Sequence, residues 1–228
     1  MKSRRGIFVI VLTLALTACS EEQAEAPAAP PAKTETAPPA AAPDSATADE
    51  AKTADDEASV QAEPFFAQMV LQDVTFQVES PNDSSINQVA IRAEGPEGPI
   101  GQMEAEADGT ITNVEIEDLN ADGYPEIYVY VTSAGSGSYG SLIAYASNQN
   151  KSLSQIYLPS IEDDPAISKG YMGHDEFAVG EATFLRRFPI YKDGDINAQP
   201  TGGTRQIQYK LEAGEAGWIL RQDRVVEF

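Results

Sequence analysis

The clearest hydrophobic pattern in the chain lies at residues 127–132. Aliphatic side chains occupy every second position there, and aromatic or hydroxyl side chains occupy the positions between them. A two-residue period of β-branched and aromatic residues predicts a β-strand. Residues 142–147 repeat the pattern more weakly after a loop of serines and glycines. The two runs together predict a β-hairpin.

Short runs of the same kind recur along residues 64–228, separated by turn clusters at 94–101, 107–110, 148–151 and 201–203. They predict an all-β domain, an antiparallel β-sandwich of about eight to nine strands. The candidate strands are 65–79, 88–93, 111–117, 126–132, 142–147, 153–158, 176–184, 205–211 and 218–226. A single short helix within 161–169 is compatible with the pattern.

The loop between the two hairpin strands is the candidate binding site. It contains Ser136, Gly137, Ser138 and Tyr139, which we call the SGSY loop. Flanking glycines permit close approach to another surface, and Tyr139 is the one bulky side chain there. A tyrosine in this setting suits a protruding plug with an apolar body and a polar tip. The alternative is a plain hairpin turn whose tyrosine folds back on the sheet.

The turn that precedes the hairpin carries oxygen-bearing side chains at alternate positions. Asp118, Asn120 and Asp122 are followed by a glycine, as in a calcium loop, and Glu126 is a further possible ligand. The twelfth position of this loop is Val129, where an EF-hand requires a glutamate. The turn also resembles that of FG-GAP-like modules. The alternatives are a calcium site and a tight turn in which Asp and Asn bond their own backbone.

Both elements together resemble the periplasmic inhibitors of invertebrate-type (i-type) lysozyme, which carry a DLDGDGxPE-type turn, a strand and an SGxY loop. The corresponding segments here read DLNADGYPE at 118–126 and SGSY at 136–139, and the close match covers 110–158. In that family the SGxY loop enters the active-site cleft of the lysozyme. The resemblance therefore implies an i-type lysozyme as the partner and Ser136 and Tyr139 as inhibitory contacts. The rival hypothesis is a calcium-dependent cell-envelope binding module that uses the 118–126 turn.

The first residues have the features of a bacterial lipoprotein signal. Basic residues at positions 2, 4 and 5 precede an apolar run at 7–16 and the lipobox-like sequence Leu-Thr-Ala-Cys, which ends at Cys19. We expect a signal peptide at 1–18 and a lipidated Cys19. Ser20 follows the cysteine, where an aspartate would favour inner-membrane retention. The prediction is a lipid anchor on the periplasmic face of the outer membrane.

Residues 19–63 predict a tether between the anchor and the domain. Ala, Pro, Thr and acidic residues dominate this segment, and it contains no aromatic residue. Such a composition cannot bury enough apolar surface to offset the entropy of ordering. At about 3.1 Å per residue it would reach roughly 130 Å.

The charge of the domain restricts its partners. Residues 64–228 contain 25 acidic and 10 basic residues, a net charge of −15. Without a basic stripe the domain is a poor match for nucleic acid. A cationic protein would be attracted at low salt. A homodimer is compatible with the sequence.

The sequence offers little for catalysis, and we predict no catalytic residue and no required cofactor. Residues 64–228 lack cysteine, and their one histidine is His174, whose neighbour Asp175 is too close in sequence to orient it as in a catalytic triad. A loop histidine bonded to a neighbour is the expected role. Residues 186–205 form a long polar loop in which Arg187 or Arg205 is expected to pair with acids such as Asp193.

Overall fold

The computed structural model describes residues 63–228, which contain twelve strands in two sheets. The predicted signal peptide, Cys19 and all but the last residue of the predicted tether lie outside the described residues. Within the described part, no helix is long and apolar enough to cross a membrane.

The first sheet has four strands in the order β1-β2-β3-β4, all antiparallel. Its strands are β1 (Phe65–Leu71), β2 (Val74–Ser80), β3 (Ile86–Gly95) and β4 (Gly98–Asp108).

The second sheet has eight strands in the order β5-β6-β7-β8-β12-β11-β10-β9. Its strands are β5 (Thr110–Glu117), β6 (Glu126–Thr132), β7 (Gly140–Asn148), β8 (Ser152–Tyr157), β9 (Glu176–Gly180), β10 (Thr183–Pro189), β11 (Thr204–Ala213) and β12 (Trp218–Glu227). A 3-10 turn at Ile161–Asp163 and a one-turn helix at Pro165–Ser168 lie between β8 and β9.

Strand β6 lies between two hydrophobic cores. Its aliphatic face, including Ile127 and Val129, belongs to the core that the first sheet and β5–β8 enclose. Its aromatic face, Tyr128 and Tyr130, belongs to a second core lined by β6–β8, β10–β12 and the helical segment. A strand covered on both faces needs apolar residues at every position. This double burial explains why β6 is the strongest pattern in the sequence.

The second sheet curls until its two edge strands approach each other. The carboxylate of Glu115 in β5 accepts a hydrogen bond from the backbone nitrogen of Val179 in β9, at 2.9 Å. The same carboxylate oxygen accepts a bond from the Tyr130 hydroxyl. A side chain therefore substitutes for a missing ladder bond between the edges, and the sheet becomes a near-barrel packed against the first sheet.

The prediction of an all-β sandwich is confirmed, but the predicted number of strands is wrong. Residues 65–79 form two strands because Gln72 and Asp73 turn the chain with φ of 51° and 61°. Residues 176–184 likewise divide, at a turn in which Ala182 has φ of 51°. Neither turn has glycine at its left-handed positions, so the usual sequence signal is absent.

The sequence predicted turns at 94–101 and 107–110 but no strand between them, so strand β4 was missed. Its sequence, GPIGQMEAEAD, contains one β-branched residue, and exposed side chains alternate with half-buried ones along most of the strand, which lies at the edge of the first sheet. The all-antiparallel arrangement is also wrong at one place, since β8 and β12 pair in parallel through Ile156 and Trp218.

Candidate functional site

The SGSY loop has a closed backbone between β6 and β7. The nitrogen of Ser133 donates to the Tyr139 carbonyl at 2.9 Å, and the nitrogen of Tyr139 donates back to Ser133 Oγ at 3.0 Å. Inside this ring, the nitrogen of Ser138 donates to the Gly135 carbonyl at 3.2 Å. Ser138 itself has φ of 43°, a left-handed conformation that non-glycine residues seldom adopt. The loop is a defined turn held by its own bonds.

Two segments from later in the chain hold the same loop from outside. The nitrogen of His174 donates to the Gly137 carbonyl at 2.7 Å. The side-chain amide nitrogen of Asn197 donates to the Ser136 carbonyl. These two segments are themselves joined, because His174 Nε2 lies 3.0 Å from Asn197 Oδ1. Three loops are therefore connected through hydrogen bonds to the carbonyls of the SGSY loop.

Gly173, next to His174, lies so close to the SGSY loop that no residue other than glycine fits at this position. A Cβ on Gly173 would lie 2.0 Å from the Gly137 carbonyl oxygen, and Gly173 has φ of +87°. Both the space and the conformation therefore require glycine.

A buried ion pair lies at the base of the loop. Arg186 Nε is 2.7 Å from Asp175 Oδ1, and the two side chains are 7% and 0% exposed. The other carboxylate oxygen of Asp175 accepts bonds from the nitrogen of Gly140 at 2.7 Å and from the Tyr171 hydroxyl at 2.6 Å. Burial and the bond to Asp175 raise the pKa of Tyr171, so its hydroxyl remains a donor. The start of β7 is thus tied to the interior of the near-barrel.

The outer face of the loop presents Ser136 and Tyr139 to solvent. Tyr139 is 48% exposed, and its ring meets the edge of Tyr171 at a centroid distance of 5.6 Å. The ring covers Gly137, where a Cβ would lie 2.4 Å from the ring carbon Cε2. Tyr139 is therefore supported on one side and open on the other. The arrangement offers an exposed hydroxyl, an aromatic face and fixed backbone, which suits recognition of a concave surface.

The acidic turn, residues 118–126, lies at the opposite end of β6. Asp118, Asp122 and Glu126 each place a carboxylate oxygen within 4.8 Å of the others. Glu126 is fully buried, and its Oε2 accepts a bond from the nitrogen of Leu119 at 2.7 Å. Loss of hydration raises the pKa of Glu126 to about 8, against the bond from Leu119, which lowers it. Asn120 Oδ1 accepts a bond from the Asp122 nitrogen at 3.0 Å.

The predicted pairing of Arg187 or Arg205 with acids of the long loop is wrong. Arg205 pairs with Glu227 at the end of β12, at 2.6 Å, and Arg187 Nε donates to Gln206. Asp193 takes no part in these contacts. The acid that organises the loop, Asp195, accepts bonds from Thr201 and from the backbone nitrogen of Lys192. Both arginines lie on strands, and the neighbouring strand supplies the acceptor for each of them.

Sequence reasoning missed the role of the residues that hold the SGSY loop. His174 was expected to bond a neighbour, and it does, through its ring and Asn197. Nothing in the spacing indicated that its backbone nitrogen would meet a loop 37 residues earlier in the chain. Asn197 lies in the long loop that drew attention by its length and polarity, but its contact with Ser136 follows only from the fold.

The fold and the loop define the class of the protein: a β scaffold that presents a fixed and exposed loop. Residues 100–167 match the model of the family described as periplasmic lysozyme inhibitor of I-type lysozyme. Together with the 31% sequence identity to a solved inhibitor, 80% of which is covered, this match shows that the chain belongs to this family of lysozyme inhibitors.

Two solved structures carry related sequences. One is Aeromonas hydrophila PliI in complex with Meretrix lusoria lysozyme, which is 31% identical, with 40% of this chain and 80% of that chain covered and a TM-score of 0.35. The other is PliI-Ah, the periplasmic lysozyme inhibitor of I-type lysozyme from Aeromonas hydrophila, which is also 31% identical, with 40% of this chain and 84% of that chain covered and a TM-score of 0.36. A search of curated proteins finds no match.

Proposed function

We propose that the protein inhibits an i-type lysozyme in the periplasm by inserting the SGSY loop into the active-site cleft of the enzyme. Family membership supports the inhibitory function. The observation that carries the role of the loop is its geometry, since Ser136 and Tyr139 are exposed while the backbone beneath them is held by three sets of hydrogen bonds.

The chemistry of the loop suits a glycosidase cleft. Glycoside hydrolases place a pair of carboxyl groups on either side of the glycosidic bond. The Ser136 hydroxyl is free to donate to such a carboxyl group, and the Tyr139 ring has the apolar face and polar tip that a sugar subsite accommodates. Binding there excludes the substrate without any reaction.

The contacts from His174 and Asn197 favour tight binding. A flexible loop loses conformational entropy when it binds, and about 0.5–1.5 kcal/mol is lost for each side chain that becomes fixed. In this protein the backbone at Ser136 and Gly137 is already fixed by bonds to the rest of the domain. More of the interaction energy then contributes to affinity.

The negative charge of the domain and the predicted lipid anchor both favour an encounter with a lysozyme in the periplasm. The net charge of −15 on residues 64–228 attracts a basic lysozyme and makes association faster at low salt. A lipid on Cys19 would hold the protein at the outer membrane, facing the periplasm, with the domain on its tether in the path of an incoming lysozyme.

The test is a titration of the purified protein against invertebrate, chicken and goose lysozymes, with lysis of bacterial cell walls as the readout. We expect inhibition of the invertebrate type. Tyr139→Ala and Ser136→Ala should each raise the inhibition constant at least tenfold with little change in melting temperature, since both side chains are exposed.

Matched controls are Tyr157→Ala, which removes a tyrosine that is 55% exposed on β8, and Ser85→Ala in the β2–β3 turn. Both should inhibit like the parent protein. If the parent protein and both loop variants inhibit the enzyme equally well, the proposed role of the loop is refuted. Absence of inhibition of any invertebrate lysozyme would refute the function itself.

A further inference from the structure

The acidic turn contains a buried carboxylate oxygen without a partner. Glu126 is 0% exposed, and its Oε1 has no hydrogen-bond partner among the residues that the structure describes. Its other oxygen, Oε2, accepts the bond from Leu119. A buried carboxylate oxygen that has lost its hydration is unfavourable unless another group compensates it, and nearly all such atoms in proteins are compensated.

Two more carboxylates lie close to that of Glu126. Asp118 and Asp122 each bring an oxygen within 4.8 Å of an oxygen of Glu126 and of each other. Calcium binds oxygen ligands at about 2.3–2.6 Å, so two ligands on opposite sides of one ion lie up to about 5 Å apart. The three oxygens therefore have the spacing of ligands that share a cation. Without a cation their negative charges oppose one another.

The backbone of the turn fixes these side chains in place. Asp118 Oδ1 accepts a bond from the nitrogen of Asp122 at 2.9 Å, and Asp118 Oδ2 accepts one from Gly123 at 2.9 Å. Asp122 Oδ1 accepts a bond from the nitrogen of Tyr124 at 2.9 Å. These bonds hold the carboxylates within the turn, and the lone pairs that they leave unused, as on Asp118 Oδ1, are available for an ion.

We propose that the oxygen-bearing side chains of the acidic turn bind one calcium ion: Asp118, Asn120, Asp122 and Glu126. All four donors are oxygens, which favours calcium or magnesium over zinc or copper. Calcium fits better, because it accepts several carboxylates in a variable coordination geometry, whereas magnesium requires a small octahedral shell and retains its water.

The ion would stabilise the end of the sandwich where the two sheets meet. Gln72, in the β1–β2 turn of the first sheet, donates to Asp118 Oδ2 at 2.8 Å. Glu126 begins β6 in the second sheet. A bound cation would neutralise the buried Glu126 and fix the turn that both sheets contact. The site is about 20 Å from the SGSY loop along β6, at about 3.3 Å per residue, so it does not depend on lysozyme inhibition.

Calcium binding is measured directly by isothermal titration of the chelator-treated protein with CaCl2, and by thermal melting with and without CaCl2. We expect one ion per chain. At a calcium concentration about a hundred times the dissociation constant, the melting temperature should rise by roughly 5 °C or more. The same titration with MgCl2 should show binding at least tenfold weaker.

The matched variants are Asp122→Asn and Asp83→Asn. Both residues are exposed and lie in turns, but Asp83 is in the β2–β3 turn, at the other end of β2 from Gln72. Asparagine at 122 retains the oxygen that accepts the bond from Tyr124, so the turn should persist. We expect calcium affinity to fall at least tenfold in Asp122→Asn and to stay unchanged in Asp83→Asn.

Three results would overturn the proposal. The first is that calcium produces neither binding heat nor a shift in melting temperature in the parent protein. This result does not depend on the folding of any variant. The second is equal calcium affinity in the two variants. The third is magnesium binding as tight as calcium binding.

Discussion

The two ends of β6 carry the two proposed sites, and these are built in different ways. In the acidic turn, one bond comes from far away in the chain, from Gln72 to Asp118, and the backbone bonds that fix the side chains join residues at most seven positions apart. At the other end, the SGSY loop is held by Asp175 and Asn197, whose bonds cross 35 and 61 positions. A short segment supplies most of the bonds in the first site. The second site requires most of the domain.

This difference affects how the family match should be understood. The matched residues, 100–167, include both the acidic turn and the SGSY loop. The residues that hold the loop, such as His174 and Asn197, come after the matched segment. The exposed Ser136 and Tyr139 therefore lie within the family segment, while the loops that flank β9–β11 supply much of the hydrogen bonding that holds their backbone.

The largest effect should come from the ion pair under the loop. Asp175→Ala leaves Arg186 buried without its partner and removes the acceptor for Gly140. Breaking a buried pair on one side costs about 3–5 kcal/mol. We expect the free energy of unfolding, measured in urea, to fall by about that amount.

The control for Asp175→Ala is Glu212→Ala, which breaks the ion pair of Glu212 with Arg221, whose side chains are 52% and 57% exposed. Solvent screens an exposed pair, so the cost should be at most about 1 kcal/mol. Equal losses in the two variants would mean that the pair beneath the loop is no more important than a surface pair.

A smaller and more selective effect should come from alanine at Gly173. Gly173 and Gly123 have φ of +87° and +86°, but an added Cβ would clash with the SGSY loop only at Gly173. The left-handed conformation costs alanine about 1–2 kcal/mol at either position. Both variants should lose that much stability and Gly173→Ala more, because its Cβ also clashes with the Gly137 carbonyl. Inhibition should weaken at least tenfold only in Gly173→Ala. A similar loss of inhibition in Gly123→Ala would show that strain anywhere near β6 disturbs the loop.

The smallest of the three effects should come from Asn197→Asp. The substitution keeps the size of the side chain and an oxygen near the His174 ring, but removes the amide that donates to Ser136. We expect inhibition to weaken by roughly tenfold, about 1.4 kcal/mol, with melting nearly unchanged. Asn113→Asp, which adds the same charge at an exposed position of β5, is the control. Inhibition constants that match between the two variants would exclude a role for the Asn197 amide.

Much of the architecture was predictable because burial leaves a pattern in the sequence. Strand β6 has the bounds predicted for it, since both of its faces are buried and every position from Ile127 to Val131 is aliphatic or aromatic. Strand β4 was missed because an edge strand with exposed glutamates has no such pattern. The β1–β2 hairpin was missed because its turn uses Gln72 and Asp73 in conformations usually associated with glycine or asparagine.

By itself, the sequence determined the all-β class, the central hairpin and the identity of both turns, because strand periodicity and bonds between near neighbours depend only on local order. Only the tertiary structure decided what holds Ser136 and Tyr139 in place and what is buried at Glu126. His174, Asp175 and Asn197 reach the SGSY loop because the second sheet curls and brings the loops of its later strands beside β6 and β7. Contacts of that kind depend on how distant strands pair, and no local pattern encodes that pairing.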